Sequence, residues 1–164
     1  MISLRYDTGV SRPDSGAADE VRAHDDVLGY LLKHAHRALE QQTEAALAGL
    51  GLTVRDLGVL RVIAGGEAKS QQEAAAVLGI DPTSMVALLD ALEHRGIVAR
   101  RTSDRDRRRN VVELTSHGRD MFWQAEDRYA EAEKTFTSPL GDAGAARLRR
   151  ALRSVLDNAK DGIT

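Results

Sequence analysis

The sequence predicts a mainly α-helical fold that carries one small β-hairpin, and three observations predict it. Only 4% of the residues are aromatic although 42% are hydrophobic, with Ala and Leu dominant, a composition that favours helices packed on helices. Apolar residues recur at helical spacing between Ser, Thr or Asp starts and Gly stops. After Gly96 that pattern breaks into two short β-branched segments, "IVARRT" and "NVVELT", which read as the strands of a hairpin. The 164 residues suffice for one domain with a real core and are too few for two ordinary ones.

Residues 1–23 mix Gly, Pro, Ser and Asp without periodicity and are expected to form a mobile N-terminal extension. A long helix over about 25–49 follows, capped by Asp25 or Asp26, with Leu28, Leu31, Leu32, Ala35, Leu39, Ala46 and Leu47 as its apolar positions. A second helix starts at Thr53, with Asp56 three residues on as a weaker form of the capping box, and stops at Gly65 and Gly66. The third opens on "SQQE", where Ser70 and Glu73 fit the capping box, and ends at Gly79. The fourth opens on "DPTS", with Asp81 as N-cap and Pro82 at the one helical position that tolerates proline. It carries Met85, Leu88, Leu89 and Leu92 and stops at Gly96. Two short helices joined by "GID" make a helix-turn-helix signature. Followed by the hairpin, they make a winged helix over about 53–115.

From about Ser116 to Phe136 a further helix carries Phe122, Ala125, Tyr129, Ala132 and Phe136 at alternating three and four spacing, a narrow seam suited to another helix. "TSPLGDAG" interrupts the chain, and a last helix runs from about Asp142 with Leu148, Ala151, Leu152, Val155 and Ala159. The outer helices, about 25–49 and 116–160, are too long for a small winged helix to bury alone. They are expected to build a dimer interface, the whole of 24–160 forming one domain.

Charge is unevenly placed. The formal net charge is −2, yet residues 95–109 hold seven arginines against Asp104 and Asp106. A single basic patch on an otherwise acidic chain points to a localised polyanion contact, the alternative being a merely solvated loop. The absence of cysteine excludes disulfides, thiolate metal sites and cysteine nucleophiles. No apolar run approaches the about 18 residues of a membrane span, and the N-terminus lacks a signal peptide's apolar core, so a soluble, cytoplasmic chain is expected. No G-x-S-x-G elbow, phosphate-cradling Gly-rich loop or clustered Ser/His/Asp set argues for an enzyme.

Two stretches carry a resemblance. "DRRRNVVELTSHGR" is similar to the wing and the following "LT..G" helix entry of the MarR (multiple antibiotic resistance regulator) family of transcription factors. "GIDPTSMVALLDALEHRGIV" is similar to its turn and recognition helix, with Leu92, Glu93 and Gly96 in register, and "SPLGDAGAARLRRAL" resembles the start of its last helix. The resemblance covers about residues 25–160. It implies a homodimeric regulator, usually a repressor, of a palindromic double-stranded DNA operator, released by a small aromatic or phenolic effector. The alternative is a winged-helix module that meets a protein partner through its basic wing, without ligand response.

The expected contacts follow from the chemistry of a duplex. A recognition helix presents small groups to base edges at its N-terminal end. Pro82, Thr83 and Ser84 fit there, and Val86 and Ala87 suit thymine methyls, although the family often has polar or basic residues at these last two positions. Thr83 and Ser84 also fit the plainer task of starting a helix. Ser70, Gln71 and Gln72 open the preceding helix, whose N-terminus suits a phosphate. A hairpin tip is thin enough for the minor groove, where a guanidinium reads width and potential. Aligned on Leu114, Thr115 and Gly118, Arg108 falls on the family's wing arginine and Asp106 on its wing aspartate. Arg108 is thus expected in the groove, Arg105 and Arg107 on phosphates, and Asp106 orienting them. Arg95, Arg100 and Arg101 are candidates for added backbone contacts.

For an effector, the family's crevice between dimerisation helices and DNA-binding lobe would be lined here by Tyr30, His34, Arg37, Arg61 and Trp123, an arginine and a histidine among aromatic walls. Residues of this kind also occur at the boundary of any amphipathic helix. No metal and no cofactor is expected. His34 and His36, two apart on a helix, point to different faces, and no H-E-x-x-H occurs.

Overall fold

Helix starts and stops in this chain are set by local chemistry, and the computed structural model shows that chemistry bond by bond. It describes residues 23–65, 71–102 and 110–161. Most of the N-terminal extension, Ser70, and the wing-tip residues Arg105, Asp106, Arg107 and Arg108 lie outside the described residues. The chain divides into two compact units, Met1–His36 and Arg37–Thr164.

In the first unit a 3-10 turn, His24–Asp26, precedes helix α1, Leu28–Ala48. Asp25 and Asp26 sit in that turn and do not cap α1. The extended Val27 (φ −79°, ψ 128°) separates the two elements, and the first α-helical bond runs from Leu31 N–H to Val27 O at 3.0 Å. Leu28, Leu31 and Leu32 are all exposed.

The second unit holds the rest of α1 and the helices α2 (Val54–Gly65), α3 (Gln71–Leu78), α4 (Pro82–His94), α5 (Ser116–Thr137) and α6 (Gly141–Asp161). Strands β1 (Val98–Thr102) and β2 (Asn110–Leu114) lie between α4 and α5 and pair antiparallel from Val98 with Leu114 to Thr102 with Asn110. Thr53 and Asp56 open α2 as a reciprocal capping box. Asp56 N–H donates to Thr53 Oγ1 at 3.0 Å, and Thr53 N–H to Asp56 Oδ2 at 2.9 Å. α2 buries Leu57, Val59, Leu60 and Val62, residues spread round its axis, because it runs through the middle of the unit.

Around α2 the core gathers Leu47 from α1, Leu52, Ala74 and Ala75 from α3, Met85, Leu89 and Leu92 from α4, Ile97, Val98, and Phe122 and Ala125 from α5. Each large side chain so buried contributes about 1.5–3 kcal/mol, against about 1 kcal/mol for a helix cap. Burial therefore holds the helices together while caps fix where they end.

α3 and α4 form the helix-turn-helix, bent by 109°. Gly79 makes the turn with φ +62°, a left-handed conformation a side chain would strain. Ile80 N–H reaches Ala75 O at 3.0 Å, and Gly79 N–H reaches Ala76 O at 3.3 Å, the paired bonds of a Schellman stop. Gly96 ends α4 the same way, with φ +68° and a 2.9 Å bond from Ile97 N–H to Leu92 O.

The step from β2 into α5 explains why the sequence reads "LTSHG" there. Thr115 is the N-cap, its Oγ1 accepting from Gly118 N–H at 2.8 Å and donating to Gly96 O at 2.6 Å. Thr115 N–H bonds Ile97 O at 3.1 Å. One residue thus ties the start of α5 to the end of α4. α5 then lays Phe122 and Ala125 against the core around α2, so part of the seam expected for another helix is filled inside the unit. On α6, by contrast, Ala145 is the one buried hydrophobic residue among those described, and Leu148, Leu152, Val155 and Leu156 are exposed.

Candidate nucleic-acid interface

One side of α4 is in the core and the other faces out. Met85, Leu89 and Leu92 are buried, while Pro82, Thr83, Val86, Ala87, Asp90, Ala91 and His94 are exposed. The outward set keeps the i, i+3, i+4, i+7 spacing of one helix face. Ser84 is half-buried, and its N–H donates to Asp81 Oδ1 at 2.9 Å. Hydrogen bonds from Ser84, its side chain foremost, hold the Asp81 carboxyl below its ordinary pKa. This cap stabilises the fold above the unfolded carboxylate's pKa, and its contribution is lost as pH falls through the depressed value. Thr83, Val86 and Ala87 thus project from a helix whose first turn is fixed independently of their side chains.

Gln72 is exposed in the first turn of α3, and Gln71 is its first residue. The described arginines beside the wing tip, Arg95, Arg100 and Arg101, are engaged within the fold. Arg100 on β1 bridges Glu93 and Asp90 of α4 through its two terminal nitrogens, and its backbone N–H donates to Glu93 Oε1 at 3.2 Å. The hydrogen bond to Asp90 is the largest cause of a guanidinium pKa raised above its ordinary value, with burial opposing it and Glu93 adding to it. Arg100 therefore braces the wing against the recognition helix. Arg95 donates to Leu50 O at 3.2 Å, and Arg101 lies 3.6 Å from Glu113 across the hairpin. Asp90 was missed in the sequence. Its position seven residues after Thr83 was the available signal.

The residues expected around an effector fall in both units. In the first, the Tyr30 ring stacks on His34 at 4.0 Å and meets His24 edge-on at 5.5 Å. In the second, Arg37 is exposed, and Arg61 is paired in bidentate fashion with Glu126 at 2.6 and 3.1 Å. The Arg61 guanidinium also sits 4.4 Å from the centre of the Tyr129 ring. The bond to Glu126 is the chief reason its pKa is raised. Trp123, 64% exposed, lines an open cavity of about 300 Å³ with Ile63, Ala64, Leu114, Arg119 and Phe122. Arg119 donates to two neutral acceptors, Leu114 O at 2.9 Å and Ser116 Oγ at 3.1 Å. Its charge is left without a carboxylate partner among the described residues. Arg119 was not foreseen, because only the fold brings α5 beside the end of α2. Among the described residues no three His, Cys, Asp or Glu side chains cluster as for a metal, and no single helix is long and apolar enough to cross a membrane.

A bent α3–α4 pair with an outward-facing second helix, followed by a two-stranded wing, defines a winged helix-turn-helix protein. The model of the MarR family matches residues 50–109. The transcriptional regulatory protein for the hcr operon of Thauera aromatica is 30% identical over 117 residues, which span 71% of this chain and 70% of that one. An HTH-type transcriptional repressor of Mycobacterium tuberculosis is 36% identical over 104 residues, 63% of this chain and 75% of the repressor. The crystal structure of that MarR family protein in complex with DNA superposes with a TM-score of 0.70 at 29% identity, covering 80% of this chain and 98% of that one. It has also been solved in complex with salicylic acid, with a TM-score of 0.68 at 30% identity and the same coverage. The repressor CouR from Rhodococcus jostii, bound to p-coumaroyl-CoA, superposes with a TM-score of 0.71 at 31% identity over 82% of this chain and 95% of that one. The chain belongs to the MarR family.

Proposed function

We propose that the protein is a homodimeric transcriptional repressor that binds a palindromic double-stranded DNA operator and leaves it when a small aromatic acid binds. The observation that carries this reading is the outward face of α4, where Thr83, Val86 and Ala87 project from a helix anchored by its own cap and core. Pro82 and Ser84 shape the start of that helix, and Gln71 and Gln72 stand at the phosphate-facing start of α3. Ser70 joins them there, while Arg108 enters the minor groove, Arg105 and Arg107 hold phosphates and Asp106 orients the wing. Relatives solved with DNA and with salicylic acid support both halves of the reading. It assigns the chain no catalysis, in keeping with relatives named as transcriptional regulators, and places its work in the cytoplasm, beside the chromosome.

Binding to a palindrome from the gene's own upstream region, titrated against salt, tests the first half. Several phosphate contacts per half-site make affinity fall by roughly 10³-fold between about 50 and 200 mM salt. Arg108→Ala weakens binding by ~1–3 kcal/mol. Unchanged affinity of that variant removes the wing from the interface, and a shallow salt slope with no preference over random DNA favours a protein partner instead.

For the effector, the cavity at Trp123 offers an indole wall and the uncompensated Arg119, a fit for an aromatic carboxylate. Arg37 and Arg61 of the same unit are further candidates, Arg61 only by exchanging its bond to Glu126, and Tyr30 and His34 are candidates on the family resemblance alone. Trp123 is the chain's one tryptophan, so its fluorescence reports on this cavity directly. Titration with benzoic and cinnamic acids is expected to change that emission over the same concentrations that release DNA. Release with no change in emission places the effector elsewhere.

A further inference from the structure

The outward face of α4 carries a carboxylate, Asp90, that the operator-binding reading does not use. Asp90 stands on the line of Thr83, Val86 and Ala87, completing the i, i+3, i+4, i+7 set with which a homeodomain's recognition helix reads base edges. A carboxylate facing a duplex is ordinarily repelled by phosphates. Here Arg100 reaches over from β1 and takes Asp90 Oδ1, which offsets the charge and fixes the rotamer, while the Asp90 side chain remains 57% exposed. Among the described residues its second oxygen, Oδ2, has no hydrogen-bond partner and can accept. Carboxylates that read bases do so by accepting from the exocyclic amino group of cytosine, which the major groove displays.

We propose that Asp90 is a specificity-determining residue of the recognition helix, accepting from cytosine N4 in each half-site, with Arg100 as the positioning residue that holds it. The inference rests on the operator-binding reading and sharpens it, since Val86 and Ala87 offer only apolar contacts and leave polar discrimination to their neighbours. Arg100 works through Asp90 and touches no base.

The test is selection of bound duplexes from a random double-stranded library by the full chain, as wild type and as Asp90→Asn and Asp90→Ala. The wild type enriches a palindrome with a cytosine fixed at one position of each half-site. Both variants enrich the same palindrome with that position no longer held, the preference for cytosine falling by roughly tenfold or more. Far-ultraviolet circular dichroism confirms that both fold, and the near-isosteric Asn variant keeps the bond to Arg100. If the variants keep the cytosine and change only overall affinity, Asp90 acts through charge alone and the inference is overturned. If the wild type enriches no sequence, the operator-binding reading itself fails and takes this inference with it.

Discussion

Gly118→Ala is expected to destabilise the protein by at least ~3 kcal/mol, the upper range for forcing extra carbon into a packed site. A Cβ placed on Gly118 would lie 1.8 Å from Ile97 O and 2.8 Å from Ile97 C. Both are backbone atoms, and neither has a rotamer to move. Relief requires α5 to lift from the end of α4, which breaks the bonds from Thr115 to Ile97 O and Gly96 O. Ile97 is itself 1% exposed, so the displacement also opens the core. Urea unfolding should show the loss as a lower midpoint, and the wing, tied to the same junction, should bind DNA more weakly. Gly79→Ala is the informative contrast. Nothing lies within 4 Å of a Cβ there, but φ is +62°, so only the left-handed strain of about 1–2 kcal/mol remains. Equal losses for the two variants would show that close approach is not what Gly118 provides.

That contrast bears on what a sequence can disclose. Glycine stops and Asp, Thr or Ser starts act over three or four residues, so α2, the α3–α4 turn, α4, the hairpin and α5 were readable from neighbours alone. The division of α4 into a core side and an outward side followed from the spacing of Met85, Leu89 and Leu92. The start of α1 was not readable, because Asp25 and Asp26 form a 3-10 turn of their own and Val27 breaks the chain before the helix begins. Pairings between distant elements were hidden altogether. Arg61 finds Glu126 sixty-five residues away, and Arg100, read in the sequence as a candidate for DNA, meets Asp90 and Glu93 only through the fold of the hairpin. A charged residue's partner depends on which surfaces meet, and local pattern carries no record of that. The wing-tip arginines, to which the sequence points most strongly, rest on charge density and register with the "LT" that follows.

Replacing Val155 and Leu156 with glutamate is expected to convert the protein to monomers and to lower operator affinity by roughly 10²–10⁴-fold, the advantage lost when two half-sites are no longer engaged together. α6 runs for twenty-one residues, and its Leu148, Leu152, Val155 and Leu156 form one apolar stripe open to solvent, the last two 65% and 60% exposed. So long a stripe on a free protomer marks an association surface. The first unit shows the same signature at Leu28, Leu31 and Leu32. Because Val155 and Leu156 make little use of the protomer's core, the substitutions should change its own stability by no more than about 0.5 kcal/mol. Sedimentation velocity reads the oligomeric state, and anisotropy on a full palindrome and on a single half-site separates the effects. The expected pattern is wild-type affinity for the half-site, weakened affinity for the palindrome and a single monomeric species. A double variant that remains dimeric would move the interface off α6. A monomer that still held the palindrome at full strength would mean that one copy of α4 and its wing suffices for the operator.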